Sequence, residues 1–391
     1  MSMASHEAVI QLQALMDQVD EPLKNTFKCE IWLRDLFTSF LVSCDLILKR
    51  EIQSNATGWC GDEGPSTLKP SVFVLWSCLK GTGDNVHQGY LTETLVRFLK
   101  AREWNVSKAH KMLVDCLNWR VTNEIDKILS KPIVPTELYR AVRDSQHIGM
   151  SGYSKEGLPI FAIGVGLSTF DKASVNYYVQ SHIQINEYRD RVVLPAASKK
   201  CKKPITTCVK VLDMTGLKLS ALSHIKLLTI ISTIDDLNYP EKTNAYYIVN
   251  VPYIFSACWK VVKPLLQERT RRKVQVLSGS GRDELLKIMD FESLPHFCRR
   301  EGSGSSRQSG DVSCFSLDHP FHQQLYNYIK QQSLIGEPAA PVKQGSFHVK
   351  VPEPADAEGT EIAKTIESEL HKIENRNGLS ASVDALRIKD S

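Results

Sequence analysis

Between residues 158 and 289 four short apolar runs, at 158–165, 205–212, 245–251 and 274–277, alternate with four segments of helical period, at 170–193, 219–236, 253–269 and 282–289. A parallel strand pair needs a crossover of a dozen or more residues, and each of these segments is long enough to supply much or all of one. The alternation therefore predicts a βαβαβαβα chain, an α/β fold built on a mostly parallel sheet. Such a sheet has to cover both faces, so this stretch is expected to own a core.

Upstream the pattern is helical. Leu95, Phe98, Leu99 and Arg102 follow Thr92 at i, i+3, i+4 and i+7, and Thr92 is a candidate N-cap. A second helix with Ser107 as its candidate cap aims Ala109, Met112, Leu113, Cys116 and Leu117 to one side. These two helices predict a small all-helical domain at 85–130, preceded by a short amphipathic helix within 1–28 carrying Val9, Leu12, Met16 and Val19. Residues 29–84 have no sustained period. Six aromatic residues (Trp32, Phe37, Phe40, Trp59, Phe73 and Trp76) and four cysteines are scattered there among loop-like sequence, and the segment reads as an insertion, the product of an intron or an alternative exon. The α/β domain is set at 131–305. A linker and an acidic tail at 306–391 follow, with one late helix along Ile362, Ile366, Leu370 and Ile373.

Hydrophobic residues make up 42% and charged residues 24%, which is globular usage and excludes a wholly disordered or fibrous chain. The net charge of +4 divides unevenly: 7 basic and 10 acidic residues in 331–391 leave the body basic. The balance is too near neutral to indicate nucleic acid. The ten cysteines include no pair in a CxxC arrangement, which argues against a zinc ribbon or a redox motif and predicts idle thiols in a reducing compartment. The opening residues lack a basic region followed by an apolar run, and the most apolar stretch, 31–48, is broken by Arg34, Asp35 and Asp45. A cytoplasmic protein without a membrane span is expected.

Signatures of common enzyme chemistry are missing. Gly164-Val165-Gly166 follows a strand, but Thr169 stands where a dinucleotide fingerprint needs its third glycine. No GxxxxGK[ST], HExxH or GxSxG occurs, and the histidines show no ligand spacing, so neither catalysis, a cofactor nor a metal is expected. Asp235-Asp236 reads as the polar end of a helix leading into Tyr239-Pro240. A cationic run stands out instead: Lys260, Lys263, Arg269, Arg271, Arg272 and Lys273 are opposed only by Glu268. It suits either a solvated helix end, where cations favour the dipole, or contact with an anionic membrane at ~1 kcal/mol per basic side chain.

Taken in order, TLVRFLKAREWNVSKAHKML, VLDMTGL, NYPEKTNAYYIVNVP and FSACWKVVKPLLQERTRRKVQVLSG resemble the CRAL-TRIO family, in particular its secretory-pathway type phosphatidylinositol/phosphatidylcholine transfer proteins. The resemblance spans about 85–300. It implies a CRAL-TRIO lipid-binding fold, in which the sheet floors an apolar cavity behind a helical gate and a small helical domain precedes it. The gate falls at about 253–267, where Phe255, Val261, Val262, Leu265 and Leu266 face either acyl chains or the core, and Pro264 bends or ends the helix. A gate is physically required: exposing two chains of about 15 methylenes each would cost about 24 kcal/mol at ~0.8 kcal/mol per methylene.

By the same resemblance Arg102, Glu241, Lys242, Thr270 and Lys273 form the headgroup set, and on the membrane reading of the cationic run Lys260, Lys263, Arg269, Arg271 and Arg272 face the membrane. Cys208 and Lys210 depart from the hydroxyl residues that relatives carry near the choline phosphate, and Lys210 would repel a choline ammonium. Phosphatidylinositol is thus the expected ligand in preference to phosphatidylcholine. The implied protein is a non-enzymatic, monomeric exchanger that meets anionic membranes reversibly and supplies lipid to a kinase in support of phosphoinositide synthesis and trafficking. A non-transferring binder of a sterol or terpenoid, and a damaged isoform inactivated by the 29–84 insertion, are the alternatives.

Overall fold

The computed structural model describes residues 3–20, 23, 91–218, 221, 224–253, 255–299, 313–335 and 368. The segment 29–84 and the tail stripe from Ile362 to Ile373 lie outside the described residues. The chain forms two compact units, Met1–Lys127 with Ile185–Thr206, and Ile128–Gln184 with Thr207–Ser391.

The first unit is helical. Helix α1 (Met3–Met16) packs against α2 (Leu91–Ala101) and α3 (Val106–Thr122), and Leu12, Met16, Leu95, Leu99 and Leu113 are fully buried between them. The face of α3 predicted from its period, Ala109 through Leu117, is the buried one. Its cap lies earlier than predicted. Asn105 accepts from the Lys108 amide at 2.9 Å, because an amide oxygen two residues before Ser107 already reaches the orphan N–H groups of the first turn. Likewise α2 starts at Leu91, so Thr92 lies within it.

A charged cluster is buried in the same unit. Glu187 is fully buried and accepts from Arg120 at 2.9 and 3.2 Å and from Arg191 at 2.7 and 3.0 Å, and Arg120 also pairs with Asp126. Two guanidinium forks thus satisfy one carboxylate, which is what permits the ions to leave water. The α5 helix (Val175–Tyr188) passes into a π-helical turn (Arg189–Val193) and then α6 (Leu194–Cys201), so the single helix predicted at 170–193 is two helical forms.

The second unit carries a five-stranded sheet in the order β1 (Ile148–Tyr153), β2 (Pro159–Gly164), β3 (Cys208–Asp213), β4 (Thr243–Val249) and β5 (Val274–Val276). Strands β2 to β5 are parallel; β1 is an additional antiparallel strand at the β2 edge, absent from the four predicted. Gly149 and Gly152 weaken its strand signature. A Cβ at Gly149 would lie 1.9 Å from the Cys314 carbonyl oxygen, so close backbone approach demands glycine there.

Alternation along the strands sorts the two faces. Ile160, Ala162, Val209, Val211 and Val249 point into a core completed by Leu285 and Met289 at α10 (Arg282–Ile288), and by Leu294, Phe297, Cys298 and Phe315. Ile163, Lys210, Leu212, Tyr246 and Ile248 point to the opposite face, toward α7 (Ile225–Asn238) and α8 (Phe255–Val262). The remaining helices are α4 (Thr136–Ser145), the short α9 (Glu268–Arg271) and α11 (Pro320–Ile335), which lies against β1.

Candidate functional site

A cavity of about 310 Å3 opens over this second sheet face. Its floor is the row Ile148, Ile163, Leu212 and Ile248, registered across four strands, and the row Lys210, Tyr246 and Val274 beside it. Leu228, Thr229, Ile231, Ser232, Asp235 and Asp236 of α7 form one wall. Phe255, Trp259 and Val262 of α8, with Leu266, form another. The Phe255 and Trp259 rings are stacked, centroids 5.8 Å apart, which packs two large apolar surfaces along one helical side. Beyond Val262 the chain tightens into a 3-10 turn, Lys263–Leu265, that contains Pro264, so α8 ends two residues before the proline. Of the predicted gate residues, Phe255, Val262 and Leu266 line the cavity; the side chains of Val261 and Leu265 lie outside the described residues.

One end of the cavity is polar. Asp235 accepts from His182 Nε2 at 2.7 Å and faces the Lys210 ammonium at 3.4 Å. The ammonium also sits 5.6 Å from the centre of the Tyr246 ring. Strand alternation puts Lys210 on this face, and Asp235 matches the charge that sequence reading set against a choline ammonium. Cys208 is different. A register shift between Cys208 and Val209 interrupts the alternation, and the buried thiol donates to the Lys242 carbonyl at 3.5 Å.

Asp236 is held by Arg269, whose Nη2 donates to the Asp236 carbonyl at 3.0 Å and lies 3.7 Å from its carboxylate, and by Thr270 Oγ1 at 3.5 Å. Burial pushes the Asp236 carboxyl up to about 6, against the opposing pull of the Arg269 guanidinium. The predicted headgroup residues Glu241, Thr270 and Lys273 come together at this end. Lys273 donates to Glu241 Oε2 at 2.6 Å and to the Thr243 carbonyl at 3.0 Å, and Arg269 Nε lies 3.5 Å from Glu241 Oε1. Glu241 occupies the turn between α7 and β4 with φ of +58°, left-handed backbone that a non-glycine residue adopts at a cost. Lys242 is half-buried beside it and offers its carbonyl to the Cys208 amide at 2.9 Å. Arg102 belongs to the helical unit, where it donates to the Ala101 carbonyl at 2.9 Å.

The basic run divides in the same way. Lys260, Lys263 and Arg272 are exposed, whereas Arg269 is half-buried against Asp236 and Glu241, and Arg271 and Arg272 both pair with Glu268, at 2.8 and 3.1 Å. Sequence reading passed over Asp235, Asp236 and His182 as site residues, since a polar helix end and a lone histidine carry no spacing signal. Among the described residues no cluster of His, Cys, Asp and Glu is arranged to hold a metal ion, and no helix is long and apolar enough to cross a membrane.

Residues 143–298 match the model of the CRAL/TRIO domain, and residues 73–115 that of the CRAL/TRIO N-terminal domain, which reaches into the segment 29–84. A phosphatidylinositol/phosphatidylcholine transfer protein of Arabidopsis thaliana, SFH9, is 29% identical over 55% of this chain and 39% of its own length. The SEC14 cytosolic factor of Eremothecium gossypii is 29% identical over 52% of this chain and 67% of its own. The crystal structure of Sfh5 aligns with a TM-score of 0.43 at 21% identity, over 63% of this chain and 81% of that one. The chain thus spans about two fifths of the length of the plant relative. In sequence order, the chain carries a CRAL/TRIO N-terminal domain at 73–115 followed by a CRAL/TRIO domain at 143–298.

Proposed function

We propose that this protein binds a phospholipid in the cavity over its sheet and exchanges it between membranes without covalent chemistry, phosphatidylinositol being the preferred lipid. The observation that carries the reading is the cavity itself, apolar along the rows Ile148–Ile163–Leu212–Ile248 and polar at the end holding Thr270, with Glu241 and Lys273 adjoining. Its relatives SFH9 and SFH12 of Arabidopsis thaliana are phosphatidylinositol/phosphatidylcholine transfer proteins by name. In this reading Lys242, Thr270 and Lys273 bind the phosphate of the headgroup and Glu241 accepts from inositol hydroxyls.

The cavity volume supports a moving wall. About 310 Å3 stands at the bottom of the ~300–1,000 Å3 range that holds drug-sized ligands, and a two-chain lipid is larger. Helix α8, ended before Pro264, is the element to swing outward, and exposed Lys260, Lys263 and Arg272 would meet the anionic surface as it does. Release beside a lipid kinase would then feed phosphoinositide synthesis.

The test is to purify the full chain and its Lys273→Ala variant, extract bound lipid and identify it by mass spectrometry. Inositol phospholipid from the first and not from the second is the expected outcome. A protein that carries no phospholipid, and extracts none from vesicles containing phosphatidylinositol, would sink the reading.

A further inference from the structure

Gln146 lies just past the end of α4, is 1% exposed and lines the cavity. Its backbone is satisfied, donating to the Val142 carbonyl at 3.0 Å and accepting from the Ile148 amide at 2.8 Å. Its side chain is not: both Nε2 and Oε1 are buried without a hydrogen-bond partner. A primary amide carries two donors and an acceptor, and a buried polar group left unmatched weighs against the fold. Leu or Met would fill the same space among Ile148, Ile163 and Val165 without that cost.

The register says where this amide sits. Ile148 pairs with Ile163 and the Gly164 amide donates to the His147 carbonyl at 2.8 Å, so Gln146, two residues before β1, and Val165, just after β2, both stand at this end of the strand pair. Lys210 is level with Phe161. From Phe161 to the end of β2 at Gly164 is three residues of strand, about 10 Å, and the apolar row through Ile163 lies in between. Gln146 is therefore a second polar point, distant from the charged end and embedded in apolar wall.

From this we infer that the cavity is built for a ligand that carries a hydroxyl group on its apolar part, and that Gln146 is the residue that selects it. A hydroxyl matches a primary amide in both senses at once, accepting from Nε2–H and donating to Oε1 in a closed ring, whereas an ester carbonyl engages the nitrogen alone. The inference rests on the reading of the cavity as a lipid site. The hydroxyl belongs either to an acyl chain of the bound phospholipid or to a separate hydroxylated lipid.

Two matched pairs distinguish these sources in vesicle extraction by the full chain: phosphatidylinositol with a mid-chain hydroxyoctadecanoyl group against its octadecanoyl counterpart, and cholesterol against cholestane. Wild type is expected to prefer the hydroxylated member of one pair roughly tenfold, and Gln146→Leu and Gln146→Met to erase that preference. Both variants are expected to melt no lower than wild type, since the orphaned amide is gone, which separates lost recognition from lost folding. Preference in the first pair assigns the hydroxyl to the phospholipid, and in the second to a separate lipid. A wild type indifferent to both pairs, or a preference that survives in both variants, overturns the inference. Failure to take up either phosphatidylinositol while cholesterol is still selected would overturn the phospholipid reading and leave the role of Gln146 standing.

Discussion

The Lys273 ammonium lies 2.6 Å from Oε2 of Glu241, and the two are joined across the edge of the sheet where β4 and β5 begin. Both side chains are mostly buried, 26% and 16% exposed, and Arg269 approaches the other carboxylate oxygen. The carboxylate therefore holds two cations in place before any ligand arrives. Glu241→Gln should leave Lys273 less fixed, and a thermal-unfolding double-mutant cycle with Lys273→Met is expected to give a coupling of about 1 kcal/mol. Additive effects would mean that the pair contributes nothing beyond its separate contacts. On the proposed function, Lys273→Met is expected to lose inositol lipid at least tenfold in lipid extraction, the effect of removing one charge-assisted hydrogen bond to phosphate.

Asp236 gives the cavity a pH dependence of definite sign. Its carboxyl titrates near 3.8 when unfolded and at about 6 when buried in the cavity wall. Between those values the folded chain holds the proton that the unfolded chain releases, so this residue's contribution to stability falls as pH rises through the window. Asp236→Asn removes the titration. The stability of wild type minus that of the variant, from melting curves at closely spaced pH, is expected to decline by on the order of 2 kcal/mol between about pH 4 and about pH 6 and to be flat above it. A flat difference throughout would show that the carboxyl is not desolvated.

Much of this architecture was readable in the sequence, and the failures have physical causes. The buried face of α3 was legible because one apolar stripe repeats at helical spacing and packs against one partner surface. Strands β2 to β4 were legible because both faces are covered, which keeps each run apolar. Strand β1 was not, because the Cys314 carbonyl lies where a side chain at Gly149 would have to go, and glycine erases the pattern that marks a strand. The residues proposed for the headgroup could be listed from the resemblance, but the pairing of Lys210 with Asp235 could not, since it joins β3 to α7 through space. Gln146 was invisible for a simpler reason: one glutamine has no period, and only the absence of partners around a buried amide singles it out.

The buried cluster at Glu187 should be intolerant of partial removal. Glu187→Ala would leave Arg120 and Arg191 without the carboxylate that accepts four of their hydrogen bonds. Breaking one side of a buried ionic group costs about 3–5 kcal/mol. Denaturant unfolding is expected to show a loss of that order, and a loss under ~1 kcal/mol would mean that water reaches the arginines.

His322 ties α11 to Arg143 of α4 and to the Cys314 carbonyl, and its titration is expected to set an acid limit for these contacts. Arg143 can only donate, so the Nδ1 that it approaches at 2.9 Å must accept; the Cys314 carbonyl can only accept, so Nε2, at 3.0 Å, must carry the proton. Both nitrogens are thus committed in the neutral ring. Burial, reinforced by the Arg143 charge, pushes the imidazole down to about 3. The unfolded chain takes up this proton near 6.5 and the folded chain does not until about 3, so the stabilisation is complete above about pH 6.5 and is lost as pH falls below it. His322→Gln keeps a donor and an acceptor but cannot titrate. It is expected to be less stable than wild type at neutral pH, through imperfect geometry, and to lose less stability than wild type between about pH 6 and about pH 4. Hydrogen exchange along α11 (Pro320–Ile335) provides the local measurement: protection in wild type should fall with acid through this window, and protection in the variant should change less. Equal acid sensitivity in the two proteins would show that another group sets the limit.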